Sequence, residues 1–209
     1  MLDNRNTVIV GYSGHAFSVI DAYSEMGKGI KYYTSINEIE RNPFKLEYLG
    51  FEMDLNFTGW GRDLSYILGL GDNSVREKVA QFILSKSKSI LEVVHPNSSI
   101  SKLAKLGTGT YVSNGVIVNA FAEIGDYVIL NTSCIIEHEC VIGRAAHIAP
   151  GAVLAGNVKI GERSFIGANS VIKQGVTIGD DVIIGAGSVV LNDVENNQKV
   201  VGNPARIIL

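Results

Sequence analysis

Every sixth residue from Val94 to Val190 is aliphatic. The series runs Val94, Ile100, Leu106, Val112, Val118, Ile124, Leu130, Ile136, Ile142, Ile148, Leu154, Ile160, Ile166, Ile172, Ile178, Ile184 and Val190 without a break. The residue two places earlier is usually small or Val, as in Ala104, Thr110, Val116, Ala122, Cys134, Cys140, Ala146, Ala152 and Ser164. Alternation along a strand places i and i−2 on the same side, so both columns point inward, one large and one small, in layers. A longer period is superposed: Gly107, Gly125, Gly143, Gly161 and Gly179 recur every 18 residues, with Asn197 next. Eighteen is three sixes, so each coil has three sides. The glycine column predicts a corner whose backbone conformation Gly tolerates best. A sustained hexapeptide period is the signature of a parallel β-helix.

The residue before each aliphatic points outward and sorts into three columns. Lys105, Glu123, Val141, Lys159 and Thr177 form a mostly polar face. Ile117, Ile135, Val153, Val171 and Val189 form a wholly apolar one, and Tyr111, Ile129, His147, Phe165 and Ile183 a nearly apolar one. Apolar stripes of this length do not remain in water. Either the rest of the chain covers them or a symmetric oligomer does. The pattern predicts a homotrimer in which two faces of each prism meet neighbours.

The N-terminal third carries a different rhythm. Residues 7–11 read as a buried strand, Tyr12 to His15 as a turn, and Ala16 to about Met26 as a helix. A further strand is predicted over Tyr66 to Leu70, then a Gly71–Asp72–Asn73 turn. A helix over residues 74–85 follows, with Val75, Val79, Phe82 and Ile83 on one face. Asp72, Asn73 and Ser74 are capping types. Strand, Gly turn and helix used twice predict a small α/β domain. Ligands of such sheets sit at the carboxyl ends of the strands, and phosphates sit at helix N-termini. The G-Y-S-G-H sequence falls short of the full dinucleotide fingerprint, which leaves a plain tight turn and an anion site both open. Residues 36–62 show no period. His95–Pro96 stands where the six-fold count begins, and the domain boundary is placed at 88–93. This gives an α/β domain over 1–90 and a β-helix over 91–209.

Composition narrows the function. A net charge of −3 over 209 residues argues against a nucleic-acid partner, which asks for a basic face. No run of 18 apolar residues predicts a membrane span, and the opening residues do not read as a signal peptide, so a soluble cytoplasmic protein is expected. Cys134 and Cys140 occupy small inward slots and read as core residues, not as nucleophiles or ligands. The histidines are His15, His95, His138 and His147. His138 lies two places after Ile136, near a corner, with Ala120 and Gly156 one coil below and above and with Glu137 and Glu139 on either side. An imidazole exchanges a proton near neutral pH. The residues alone leave His138 open between a solvated surface histidine and a general base. They leave His147 open between an interface residue and a ligand contact. Catalytic zinc takes three protein ligands. The coils offer only His138 and His147, so no metal is expected.

Residues 129–172, ILNTSCIIEHECVIGRAAHIAPGAVLAGNVKIGERSFIGANSVI, carry the most selective signal, above all N-T-S…E-H-E-C-V-I-G. Together with GYSGH, Gly71–Asp72–Asn73 and the closing VGNPARI, they make the chain resemble the bacterial sugar acetyltransferases. These are typified by the UDP-4-amino-sugar N-acetyltransferase of bacillosamine synthesis and the sialic-acid O-acetyltransferases. The resemblance implies a Rossmann-like nucleotide-sugar domain followed by a left-handed β-helix, with acetyl-CoA as co-substrate in a groove between subunits. It implies His138 as general base, Glu139 as the carboxylate paired with it, and Asn131 as a polar residue of the site. It implies acetyl-CoA contacts at His147, Gly156, Ala168 and Ala186, and nucleotide-sugar contacts at Ser13, Gly14, His15 and Gly71. One departure concerns an acidic pair that the family often carries after the second strand. Here that region reads Tyr32–Tyr33–Thr34–Ser35, which puts a uridine nucleotide in doubt. The expected activity is N-acetylation of a nucleotide-linked 4-amino-4,6-dideoxy sugar for bacterial surface glycan synthesis. The alternatives are O-acetylation of a sugar hydroxyl, a zinc hydratase, and a non-catalytic nucleotide-sugar-binding scaffold.

Overall fold

The structure, a computed structural model, describes residues 6–208. The first five residues of the segment read for a signal peptide lie outside the described residues. The chain forms two compact units, Met1–Pro96 and Asn97–Leu209. The first unit keeps Ile90, which bridges Tyr66, and the buried Val93 and His95.

The first unit is built on a four-stranded parallel sheet. Its strands are β1 (Thr7–Val10), β2 (Tyr32–Thr34), β3 (Glu47–Tyr48) and β4 (Ser65–Leu68), in the order β3-β2-β1-β4. Val8, Ile9 and Val10 are all fully buried, the mark of a central parallel strand covered on both faces, which is why this stretch reads as an unbroken apolar run. Helix α1 (Gly14–Glu25) follows β1, and α2 (Asn73–Ser85) follows β4. The α2 cap falls where the sequence places it: the Asp72 side chain accepts a hydrogen bond from the Val75 backbone N–H at 2.9 Å. The buried face of α2 is rotated from the predicted one. Val75 is 47% exposed, whereas Arg76, Val79, Ala80 and Ile83 are buried. The Arg76 guanidinium is held inward because it donates to the carbonyls of Leu70 and Gly71. Residues 36–62 hold β3 and a 3₁₀ turn at Thr58–Gly61, elements too short to show a period. Trp60 of that turn packs against Phe57, Tyr66 and Phe82.

The second unit is a three-sided parallel β-helix of two-residue strands, closed by an antiparallel pair of four-residue strands, Lys199–Gly202 and Ala205–Ile208. Each side is a parallel ladder with an 18-residue register, as in Glu123 with Val141, Ile129 with His147 and Ile135 with Val153. Each of its two-residue strands, from Ser99–Ile100 to Val189–Val190, ends on the aliphatic residue of the six-fold series. Leu130, Ile136, Ile148, Leu154, Ile166 and Ile172 are fully buried. Cys134 and Cys140 lie buried and unbridged among them. Burial pushes the Cys134 thiol up to about 12 and raises that of Cys140, so neither supplies a thiolate.

Three sequence expectations are corrected. The Gly107–Gly179 column does not hold the left-handed backbone, since none of its members has positive φ. Its glycines are required by close approach of successive coils: a methyl on Gly143 would lie 2.6 Å from the Glu162 backbone N. The left-handed residues stand two places later, at Tyr127, Ala145, Arg163 and Asp181, with equivalent columns at the other corners. Asn197 does not continue the glycine column, because the last coil is two residues short: Ile178 bridges Val194 and Ile184 pairs with Val200. Asn197 is instead left-handed, at φ +63. Finally, the column read as outward and nearly apolar is partly closed within the single chain. Tyr111, Ile129 and His147 are buried, and Ile183 is exposed. The wholly apolar column stays partly open, with Ile117 at 37% and Val171 at 40% exposure.

Among the described residues, no helix is long and apolar enough to cross a membrane.

Candidate active site

His138 stands at the corner that follows the strand Ile135–Ile136. Its side chain is 52% exposed, and its Nδ1 lies 3.1 Å from Glu139 Oε2. Glu139 occupies the left-handed position of the corner, at φ +60, and that turn swings its carboxylate beside the preceding ring. The ring rests on Gly156, one coil on: a methyl there would lie 2.5 Å from His138 Cε1 and 2.6 Å from Nε2. The absence of a side chain at 156 therefore makes the seat of the imidazole. Nδ1 is committed to the carboxylate, which leaves Nε2 as the nitrogen that can exchange a proton with a bound group. On the other flank, Glu137 accepts a hydrogen bond from the Asn119 amide at 2.9 Å, which holds it as a ladder residue.

Asn131 and His147 form a second cluster. The Asn131 Nδ2 lies 3.2 Å from His147 Nε2, and Asn131 Oδ1 accepts the Thr132 backbone N–H at 2.8 Å. The His147 ring packs edge-on against Phe165, 5.0 Å between centroids. This cluster lies at the corner after Ile129–Leu130, one side of the triangle before the His138 corner. Ala168 and Ala186, 18 residues apart, stack at that same earlier corner, joined through Gly187 N–H to the Ala168 carbonyl at 2.8 Å. One chain thus gathers His138, Glu139 and Gly156 at one edge, and Asn131, His147, Ala168 and Ala186 at another. Among the described residues, no three His, Cys, Asp or Glu side chains come together as a metal site.

In the first unit, Ser13, Gly14, His15 and Gly71 gather where the chain leaves β1 and β4, the strands flanking the topological switch of the sheet. This is where α/β sheets bind ligands. Ser13 is the N-cap of α1, and its hydroxyl makes no capping bond. Both Ser13 and Gly14 are exposed, so the start of this 12-residue helix is open to solvent at these two residues, and helix N-termini attract anions. A methyl on Gly71 would touch His15 Cβ at 3.8 Å, which fixes how closely the two turns approach. Burial, with the Arg76 charge adding to it, lowers the His15 pKa to about 4, so this imidazole is neutral at physiological pH. A cavity of about 710 Å³ opens beside these turns, with Tyr12, Ser13, Ser35, Glu52, Leu70 and Lys78 among its lining residues.

Sequence reading missed Arg76, Glu52 and Lys78. Arg76 sat on a helix where charge usually means solvent, and only its burial reveals its hold on the Leu70–Gly71 turn. Glu52 lay in the stretch without a period. The one available signal for Lys78 was its place one turn into α2, on the side of the carboxyl edge.

A family model described as the PglD N-terminal domain matches residues 6–83, and one for the bacterial transferase hexapeptide (six repeats) matches residues 157–192. A GDP-perosamine N-acetyltransferase of Escherichia coli O157:H7 is 34% identical over 84 residues, a match spanning 40% of this chain and 38% of that relative's length. The acetyltransferase domain of PglB from Neisseria gonorrhoeae, solved with acetyl coenzyme A, superposes with a TM-score of 0.90 at 28% identity over 98% of this chain and 100% of its own. A variant of perosamine N-acetyltransferase from Caulobacter crescentus, solved with CoA and GDP-perosamine, superposes with a TM-score of 0.94 at 32% identity, covering 100% of this chain and 99% of its own. With a third of the residues shared along both full lengths and the same course of the backbone, the chain belongs to the family of left-handed β-helix sugar acetyltransferases.

Proposed function

We propose that the protein transfers an acetyl group from acetyl-CoA to the amine of a nucleotide-linked 4-amino-4,6-dideoxy sugar, with His138 as general base, in the synthesis of a bacterial surface glycan. The observation that carries this reading is the imidazole itself: half exposed, oriented through Nδ1 by Glu139 and seated on Gly156. The relatives that act on or were solved with GDP-perosamine support an amine as the acceptor.

The step balances without a covalent enzyme intermediate. The amine nitrogen attacks the thioester carbonyl while Nε2 of His138 takes its proton. A tetrahedral oxyanion forms, and a backbone N–H or the Asn131 amide stabilises it. The C–S bond then breaks, and His138 returns the proton to the departing thiolate, giving the amide and CoA. Ser13, Gly14, His15 and Gly71 hold the nucleotide part of the acceptor. Gly156, Ala168, Ala186 and His147 receive the acetyl donor.

This assignment requires a second copy of the chain, because the two corner clusters lie one prism side apart within a single chain. A homotrimer places the His138 edge of one protomer against the Asn131 and His147 edge of the next. The partly exposed apolar column of Ile117 and Val171 supports such an interface.

A thiol-release assay with acetyl-CoA tests the reading directly. Amino sugars linked to a nucleotide are expected to release CoA, and the corresponding hydroxy sugars are not. His138→Ala is expected to lower turnover by roughly 10²- to 10⁴-fold, the usual worth of a positioned base. Full turnover in that variant, or preference for the hydroxy sugar, overturns the proposal.

A further inference from the structure

The cavity of the first unit contains a charged group that the transfer reaction does not use. Glu52 lies in the turn region after β3 and is 3% exposed, yet it lines that cavity. Its Oε2 is buried and has no hydrogen-bond partner among the described residues. The Thr34 side chain and the residue's own backbone N–H bond to the carboxylate, but buried polar atoms are nearly always paired, and a buried oxygen left unanswered is costly to keep. Among the described residues no cation pairs with it, and the buried Arg76 donates to the Leu70 and Gly71 carbonyls and to Asn73. Burial also raises the Glu52 carboxyl above the ordinary range. The surrounding walls are largely apolar, with Ile36, Ile39, Phe51 and Met53 among them. That composition suits a flat heterocycle with one polar edge.

We infer that Glu52 reads the nucleobase of the acceptor and selects guanine. The inference rests on the nucleotide-sugar reading above and names the nucleotide. An ionised carboxylate only accepts hydrogen bonds, through two oxygens side by side. Guanine offers it two adjacent donors, N1–H and the N2 amino group, which make a paired, charge-assisted contact. Uracil and thymine present one N3–H between two carbonyl oxygens, and those oxygens repel a carboxylate. Adenine sets its single amino donor beside a ring acceptor. The absence of an acidic pair at Tyr32–Ser35 fits the same picture, since the acid is supplied from Glu52 instead.

Calorimetric titration of the full chain with GDP, UDP and dTDP is the test. GDP is expected to bind more tightly than the other two by roughly 5- to 150-fold, the discrimination a good bidentate contact gives. Glu52→Gln is expected to remove most of that advantage, leave UDP affinity within a few-fold, and raise KM for the GDP-linked amino sugar with little change in kcat. Thermal melting of the variant checks its fold, and the preference of the unaltered protein stands as evidence without it. Equal affinity for the three nucleotides, or a GDP preference intact in folded Glu52→Gln, overturns the inference. Transfer to UDP- or dTDP-linked amino sugars but not to the GDP-linked one sinks this inference and leaves the acetyltransferase reading standing. GDP preference with no CoA release from any amino sugar does the reverse.

Discussion

Replacing Gly156 with Ala separates catalysis from stability with a single methyl. Gly156 does not adopt positive φ, so alanine fits its backbone without strain. The added carbon would lie 2.5 Å from His138 Cε1 and 2.6 Å from Nε2, whereas non-bonded carbons rest about 3.5–4.0 Å apart. The imidazole must therefore retreat by roughly 1 Å. Its side chain is 52% exposed, so it can swing toward solvent and leave the coil intact. That movement gives up an exposed hydrogen bond to Glu139 worth about 1 kcal/mol or less and costs about 0.5–1.5 kcal/mol if the ring leaves its rotamer. A 1 Å displacement of a reacting group, by contrast, costs on the order of 10²-fold in rate. Thiol release is expected to fall by about that factor while the melting temperature moves by a few degrees at most. The double variant Gly156→Ala/His138→Ala is expected to be no slower than His138→Ala alone, because both changes disable one unit. A Gly156→Ala enzyme that turns over within twofold of the parent refutes the claim that the seat of His138 sets the rate. So does a collapse in stability that accounts for the lost activity.

Two further outcomes follow from the same structure. Val171→Glu puts a charge on the exposed apolar column and is expected to convert a trimer to folded monomers in sedimentation, with loss of turnover; an unchanged oligomer excludes that face from the interface. Stability should also fall as pH drops from about 6.5 to 4. Over that window the unfolded chain binds a proton at residue 15, while folded His15, with its pKa lowered to about 4, does not. The loss between pH 7 and 5 is about 2 kcal/mol at most, and His15→Asn is expected to flatten the dependence measured by chemical denaturation. A slope unaltered by that substitution removes His15 as its source.

The β-helix was legible because its period is short, regular and repeated in every coil. The six-fold aliphatic series marks the end of each strand as far as Val190, and the 18-residue register of those coils follows from counting. His138 could be singled out on the same grid, since its neighbours one coil away, Ala120 and Gly156, are small. The N-terminal unit was legible in outline only. Its central strand and the Asp72 cap announce themselves locally. β2 and β3 span three and two residues, too few to display a pattern.

What the sequence determined alone is whatever repeats with the local geometry of the chain: the three-sided coil, the inward columns, and a histidine flanked by acids at a corner. What only the tertiary structure decided is whatever depends on residues distant along the chain meeting in space. The glycine column serves close packing between coils instead of turn conformation, the last coil slips by two residues, Arg76 turns inward to hold a loop, and Glu52 lines a cavity formed by four separate loops and a helix. Periodicity encodes direction within a strand, but burial and partnership depend on what packs opposite, and no local pattern carries that information.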